Sequence, residues 1–199
     1  RCDVAVIGGG IVGVSTAYEL ARRGVQVVLL EKGVIGGEQS GRNWGWVRQQ
    51  NRDLYELPLA MRSLRRWEEL SGELGEDIGF RRAGILYGTE LQSDVAQWES
   101  WIARAREIGF NSEILSAREL AARIPSGRAR WAGGLWSVTD GRAEPSKAAP
   151  AIARGAQRLG AKVFQNCAVR SLDMSAGRVG GIWTERGRLA ADTVVLAGG

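Results

Sequence analysis

Three glycines and one acid carry the first chemical signal of the chain. In DVAVIGGGIVGVSTAYELARRGVQVVLLEK, residues 3–32, Gly8, Gly10 and Gly13 form GxGxxG, and Glu31 closes the apolar run that follows. A glycine at the first position permits a tight turn. One at the second lets backbone approach a pyrophosphate, and one at the third lets a helix pack closely on a strand. A helix starting there offers unpaired N–H groups to phosphate oxygens, and a carboxylate at position 31 can accept the hydroxyls of an adenosine ribose. The spacing therefore points to a dinucleotide. An acid disfavours a ribose phosphate, so NADP fits least well, but the glycines alone do not choose between FAD and NAD.

The elements that must position these residues are legible around them. VAVI, 4–7, is a short, mostly β-branched run ending at glycine, as expected of a buried parallel strand. An amphipathic segment over 14–23 predicts a helix closed by Gly24, and VQVVLL, 25–30, supplies a second strand. The stretch KGVIGGEQSGRNWGWVRQQ, 32–50, is rich in Gly, Ser, Asn and Arg and has little periodic pattern. Small hydrogen-bonding residues beside the second strand suit a long extended cofactor beyond its adenosine half, which favours flavin over nicotinamide. Of the tryptophans in this stretch, Trp44 and Trp46 are candidates to border the flavin or the substrate.

Composition removes other classes. With no histidine, neither a His-based triad nor a His-ligated metal can be built, and no metal is expected. The net charge of +5 comes from Lys and Arg scattered among Asp and Glu, so nucleic acid is not an expected partner. Cys2 and Cys167 form no CxxC pair and read as ordinary thiols. No run reaches the length of a membrane span, and the apolar start carries Asp3 rather than a basic leader. The expectation is a cytoplasmic enzyme, free or peripheral to the inner face of the membrane, without a transmembrane segment.

Further along, Leu54, Leu57, Met61, Leu64, Trp67 and Leu70 recur at helical spacing, with Pro58 required near the first turn. FRRAGILYGTE, 80–90, reads as a strand with turns, and 92–109 as a helix through Val95, Trp98, Ile102 and Ala105. Ser116 and Glu119 form a capping-box pattern before a short helix that Pro125 ends. After Pro145 a helix carries Ala149, Ile152, Ala153 and Ala156, with Pro150 as an irregularity. AKVFQ then resumes as strand, a meander runs through GRVGGIWTERGRLAAD, and TVVLA returns to the sheet.

The stretches VAVIGGGIVGVSTAYELARRGVQVVLLEK, GGEQSGRNWGWVRQQ, DGRAEPSKAAPAIARGAQRLGAKV and TVVLAGG resemble the FAD-dependent amino-acid and amine oxidoreductases related to D-amino-acid oxidase, glycine oxidase and sarcosine oxidase. The look is nearest to flavin subunits of bacterial D-hydroxyproline, opine and proline dehydrogenases and of hydrogen cyanide synthase. The resemblance implies an α/β fold in which a two-dinucleotide-fold, Rossmann-like FAD-binding domain, 1–78 and 145–199, is interrupted by part of an α+β substrate or cap domain, 79–144. It also implies a protein about twice this length, so the sequence is expected to be an N-terminal half with the C-terminal portion absent.

The same resemblance assigns residues. Gly8, Gly10, Ile11, Val12 and Gly13 would hold the FAD pyrophosphate, and Glu31 and Lys32 would border the adenosine ribose. Ser40, Gly41, Arg42, Asn43, Trp44 and Gly45 would lie along the pyrophosphate and ribityl side. Val169 would meet the adenine through its backbone, and Ala197 and Gly198 would pass close to the cofactor. Arg48 is the candidate for a substrate carboxylate, since a guanidinium pairs with it bidentately; a structural salt bridge is the competing role. The implied reaction oxidises the C–N bond of an amino acid, imino acid or secondary amine to an imine. No residue stands out as a general base, and oxidase and dehydrogenase remain alternatives. Implied partners are the small substrate and either electron-transfer subunits or further copies of the chain. An NAD-linked dehydrogenase and a noncatalytic FAD-binding or assembly subunit stay open as alternatives.

Overall fold

The computed structural model describes residues 1–125 and 130–199. Residues 126–129, part of the expected 79–144 insertion, lie outside the described residues. Residues 1–45 contain β1 (Cys2–Ile7), α1 (Ile11–Ala21), β2 (Val27–Leu30) and a 3-10 turn at Gln39–Gly41. Next come β3 (Trp46–Val47), α2 (Leu57–Leu74), β4 (Ile85–Thr89), α3 (Gln92–Glu107), β5 (Glu113–Ser116), α4 (Ala117–Arg123), β6 (Gly133–Ser137) and β7 (Gly141–Arg142). The remainder holds α5 (Pro145–Arg158), β8 (Lys162–Phe164), β9 (Val169–Ser175), β10 (Arg178–Thr184) and β11 (Gly187–Leu196).

The chain divides into two compact units, one of residues 1–45, 74–79 and 144–199 and one of residues 46–73 and 80–143. This differs from the expected division at 78 and 145, because residues 46–73 group with the insertion. The physical reason is α2. Its Leu57 is fully buried in a cluster with Ala105 of α3 and Phe110, and Met61 and Trp101 pack against the same cluster.

The first unit is built on a six-stranded sheet in the order β8-β2-β1-β11-β10-β9. β1 lies parallel between β2 and β11, with Val4 opposite Val27 and Thr193, and Ile7 opposite Leu30 and Leu196. All four residues of β2 are buried, as a strand covered on both faces requires. One strand does the work expected of two. β11 pairs antiparallel with β10 through Leu189 and Ala190, then parallel with β1 from Ala191 onward. The meander and the TVVLA strand are thus continuous.

Helix α1 begins at Ile11, earlier than the apolar periodicity indicates, because its first turn buries glycine backbone rather than a side chain. A Cβ on Gly13 would stand 1.9 Å from the carbonyl oxygen of Gly8. α1 packs against α5, where a Cβ on Gly155 would stand 3.1 Å from the Tyr18 ring. α5 starts at Pro145 and continues through Pro150, whose missing N–H leaves the Ser146 carbonyl without its intrahelical donor. Beyond α2, Glu76 accepts from Arg154 Nη2 at 2.6 Å and Arg158 Nη1 at 2.7 Å, which ties α5 to the 74–79 segment.

In the second unit β4-β6-β5 form an antiparallel sheet and β3 pairs with β7. α3 covers the larger sheet with Trp98 and Ile102 against Leu135 of β6. The capping box is complete: Ser116 Oγ accepts from the Glu119 N–H, and the Glu119 carboxylate accepts from the Ser116 N–H at 2.8 Å. Among the described residues no helix is long and apolar enough to cross a membrane.

Two measurements follow from the first unit. The Gly13→Ala methyl meets backbone, which cannot swing aside, so the substitution lowers the unfolding free energy by about 1–3 kcal/mol or more; a wild-type urea midpoint contradicts the packing. The Arg154 and Arg158 hydrogen bonds hold the Glu76 carboxyl at about 2, below its ordinary 4.5. A depressed carboxyl contributes stability that is full above its unfolded value and is lost as pH falls through the folded one. Glu76→Gln is therefore less stable than wild type near neutrality, and the two urea curves converge as pH falls from 4.5 to about 2.

Candidate cofactor site

A groove of about 690 Å³ opens in the first unit where β1 and β11 end and α1 begins. Its floor is the glycine turn. Gly8 adopts φ +110°, and a Cβ there would stand 2.3 Å from the Ala197 carbonyl oxygen, so this position admits glycine alone. Gly10 is the extended residue preceding α1 and provides no side-chain cap. Gly13 lies behind the groove and sets the distance between helix and turn.

The start of α1 suits an anion. Its first turn carries no acidic residue, and the Val14 N–H makes the first helical bond, to Gly10 O at 3.0 Å. The earlier N–H groups of a helix have no intrahelical acceptor and sit at the positive end of its dipole. One of them, the Ile11 N–H, donates to Ser40 Oγ at 2.8 Å. Ile11, Val12, Gly8 and Gly10 all line the groove.

Glu31 is buried at the groove edge and does more than the glycine pattern indicates. One carboxylate oxygen accepts the Gly9 N–H at 2.7 Å and the other accepts the Gly33 N–H at 2.7 Å. It therefore pins the glycine turn to the loop leaving β2. Each oxygen retains a second lone pair for a ribose hydroxyl. Lys32 lines the groove beside it, its Nζ 3.8 Å from Glu38.

The 32–45 loop divides into a lining part and a shaping part. Gly36, Gly37, Glu38, Gln39 and Ser40 face the groove. Of these only Ser40 is expected from the sequence; the others carry no pattern that separates them from their neighbours. The Gly36 N–H donates to Gly9 O at 3.0 Å, and a Cβ on Gly41 would stand 2.2 Å from Gly36 O. Arg42 pairs with Glu38. Asn43 Nδ2 donates to Ser40 O at 3.0 Å, while its Oδ1 accepts the Gly45 N–H at 2.7 Å. Gly41, Arg42, Asn43 and Gly45 thus hold the shape of the loop, and Trp44 is 83% exposed. Ala197 and Gly198 line the far wall with Leu196 and Gly199, and the Ala197 N–H continues the sheet to Ile7 O at 2.8 Å. Val169 opens β9, packed against the sheet core rather than in the groove lining.

Arg48 belongs to the second unit, in a polar cluster of its own. Its Nη1 donates to Gln50 O at 2.8 Å and Asn51 O at 3.2 Å. Asp140, fully buried, accepts the Gln49 N–H at 2.8 Å, Gln49 Nε2 at 3.0 Å and the Gln50 N–H at 3.1 Å. Burial pushes its carboxyl above the ordinary value, opposed by the Gln49 and Gln50 hydrogen bonds and by the charge of Arg48. Burial likewise raises the Tyr87 phenol, with the Arg48 charge acting the other way. Sequence reasoning passes over Asp140, since a single acid before a glycine reads as a turn.

An anion-ready helix start, glycines that leave room for close approach and an acid at the ribose position fit FAD. The chain matches the family described as FAD dependent oxidoreductase over residues 3–199. It is 32% identical to the sarcosine oxidase subunit beta of Arthrobacter sp, covering 98% of this chain and 50% of that protein. It is 31% identical to the glycine oxidase of Bacillus licheniformis, covering 100% of this chain and 54% of that one. The structure of L-amino acid deaminase from Proteus myxofaciens in complex with anthranilate superposes with a TM-score of 0.93 at 31% identity, over 100% of this chain and 46% of that one. The chain therefore spans about half the length of the curated relatives described here. On the groove and these matches together, the chain belongs to the FAD dependent oxidoreductase family that includes glycine and sarcosine oxidases, and its cofactor is FAD.

Proposed function

We propose that the protein is a dehydrogenase or oxidase that removes a hydride equivalent from the carbon bearing the nitrogen of an amino acid, imino acid or secondary amine, leaving an imine. The observation that carries this reading is the start of α1, which has no acid in its first turn and opens into a groove bordered by Glu31. FAD supplies the hydride acceptor when bound. The chain's own residues bind and orient it.

Gly8, Gly10, Ile11 and Val12 hold the pyrophosphate, with Gly13 setting the close approach of helix to turn, and Glu31, with Lys32 beside it, takes the ribose hydroxyls. Ser40 and the loop through Gly45 follow the pyrophosphate and ribityl chain. The Val169 backbone meets the adenine, and Ala197 and Gly198 lie close to the cofactor. The unit of residues 46–73 and 80–143 contributes to the substrate domain. Within it Arg48, its Nη1 held by the Gln50 and Asn51 carbonyls and its guanidinium hydrogen-bonded to the Tyr87 phenol, receives a substrate carboxylate. The substrate nitrogen must be uncharged, because an ammonium has no lone pair to support a departing hydride. Electrons leave either to oxygen or to a partner subunit, in the cytoplasm or at the inner face of the membrane.

The purified holoprotein should be yellow and should bleach anaerobically on addition of its amino-acid or amine substrate; flavin that no such compound bleaches rejects the enzymatic reading. Oxygen uptake beside reduction of an artificial acceptor separates oxidase from dehydrogenase. Ser40→Ala removes the acceptor of the Ile11 N–H and is expected to cost about 1 kcal/mol of stability. The same substitution weakens FAD binding severalfold in a fluorescence titration, and unchanged affinity removes Ser40 from the binding loop.

A further inference from the structure

Arg48 is oriented by carbonyls, and those carbonyls are themselves held by a buried charge. The guanidinium Nη1 donates to Gln50 O and Asn51 O. The backbone presenting them does not belong to a regular ladder, and Asn51 adopts φ +52°, a left-handed conformation that Asn tolerates but that needs support. That support comes from two sides. Gln50 Nε2 donates to Ile85 O of β4 at 3.0 Å. On the other side Asp140, with no exposed surface, takes both successive backbone N–H groups, Gln49 on Oδ1 and Gln50 on Oδ2, and the Gln49 side chain as well.

A buried carboxylate is costly unless hydrogen bonds and an opposite charge compensate it. Here three N–H groups and Arg48 supply that compensation. The carboxylate takes the N–H groups of Gln49 and Gln50, while Arg48 engages the carbonyls of the two peptides that follow, those of Gln50 and Asn51. We infer that Asp140 is a positioning residue: by clamping the Gln49–Gln50 backbone it anchors the segment from which the next two carbonyls, of Gln50 and Asn51, aim the Arg48 guanidinium at a substrate carboxylate. The inference rests on the reading of Arg48 given above and deepens it.

Asp140→Asn is the informative change. Its amide oxygen can still accept both Gln49 donors, but its NH2 confronts the Gln50 N–H, and the negative charge near Arg48 is gone. The probe is benzoate, an unreactive carboxylate, titrated into the holoprotein and followed through the visible spectrum of the bound flavin. Arg48→Lys is expected to weaken benzoate about tenfold or more, and Asp140→Asn about tenfold, with FAD affinity unchanged within about twofold. The double variant is expected to bind benzoate no more weakly than Arg48→Lys alone, because Asp140 acts through Arg48.

Weak binding in Arg48→Lys with wild-type binding in Asp140→Asn overturns the inference and leaves the Arg48 reading standing. Losses that multiply in the double variant also overturn it, since an independent structural defect adds to any other. Wild-type binding in Arg48→Lys removes the Arg48 reading and this inference with it. Should Asp140→Asn fail to fold, Gln49→Leu, which deletes one donor to Oδ1, must weaken benzoate about threefold in the presence of Arg48 and not in the Arg48→Lys background. An unchanged affinity in that variant overturns the proposal.

Discussion

The architecture of the cofactor groove depends on one contact between backbones: the first turn of α1 lies against the end of β1 with no room for a methyl group between Gly13 and Gly8. This approach brings the positive end of the helix dipole to the mouth of the parallel sheet, where strand ends leave a crevice. The other features of the groove adjust to it. Glu31 reaches from the end of β2 to the Gly9 N–H, Ser40 reaches from the loop to the Ile11 N–H, and Ala197 closes the far side against Gly8. The floor of the groove is set by sterics and its rims by short polar bonds.

The glycine pattern made the β-α-β unit and its ligand class legible, because GxGxxG encodes a steric requirement that few other structures share. The capping box at Ser116 and Glu119 was readable for a similar reason, as two residues at fixed spacing satisfy each other's local needs. Three features were not legible. The earlier start of α1 escaped because a turn that buries glycine backbone leaves no apolar period. β6, with Gly133 and Gly134, escaped because glycines hide strand alternation, although both pack against neighbouring backbone. The grouping of α2 with the insertion escaped because helical spacing shows that a face is buried, not which partner buries it. In the site, the glycines and Glu31 were accessible from spacing alone. The lining role of Gly36–Gln39 and the clamp at Asp140 depend on long-range contacts that a local pattern does not record.

The two units solve the same electrostatic problem with opposite signs. In the first, backbone N–H groups left unpaired by a helix start make a surface for an anion, and an acid is kept close but occupied by Gly9 and Gly33. In the second, a buried acid is satisfied by backbone N–H groups and a guanidinium is held on carbonyls. In each case a charged side chain is fixed by main-chain dipoles rather than by a single ion pair. Such fixation costs little side-chain reorganisation when a ligand arrives, because the dipoles are already in place.

The double pairing of β11 gives the groove a temporal character. Residues 191–196 are hydrogen-bonded to residues 2–7, a separation of nearly the whole described sequence, whereas β2 and α1 are close neighbours in the chain. Contacts that distant form late, after the entropy of closing the intervening loop has been met. The glycine turn can therefore take shape early on a nascent chain, but the wall carrying Ala197 and Gly198 arrives only once the insertion has been synthesised. A chain made only as far as the insertion thus presents half a cradle.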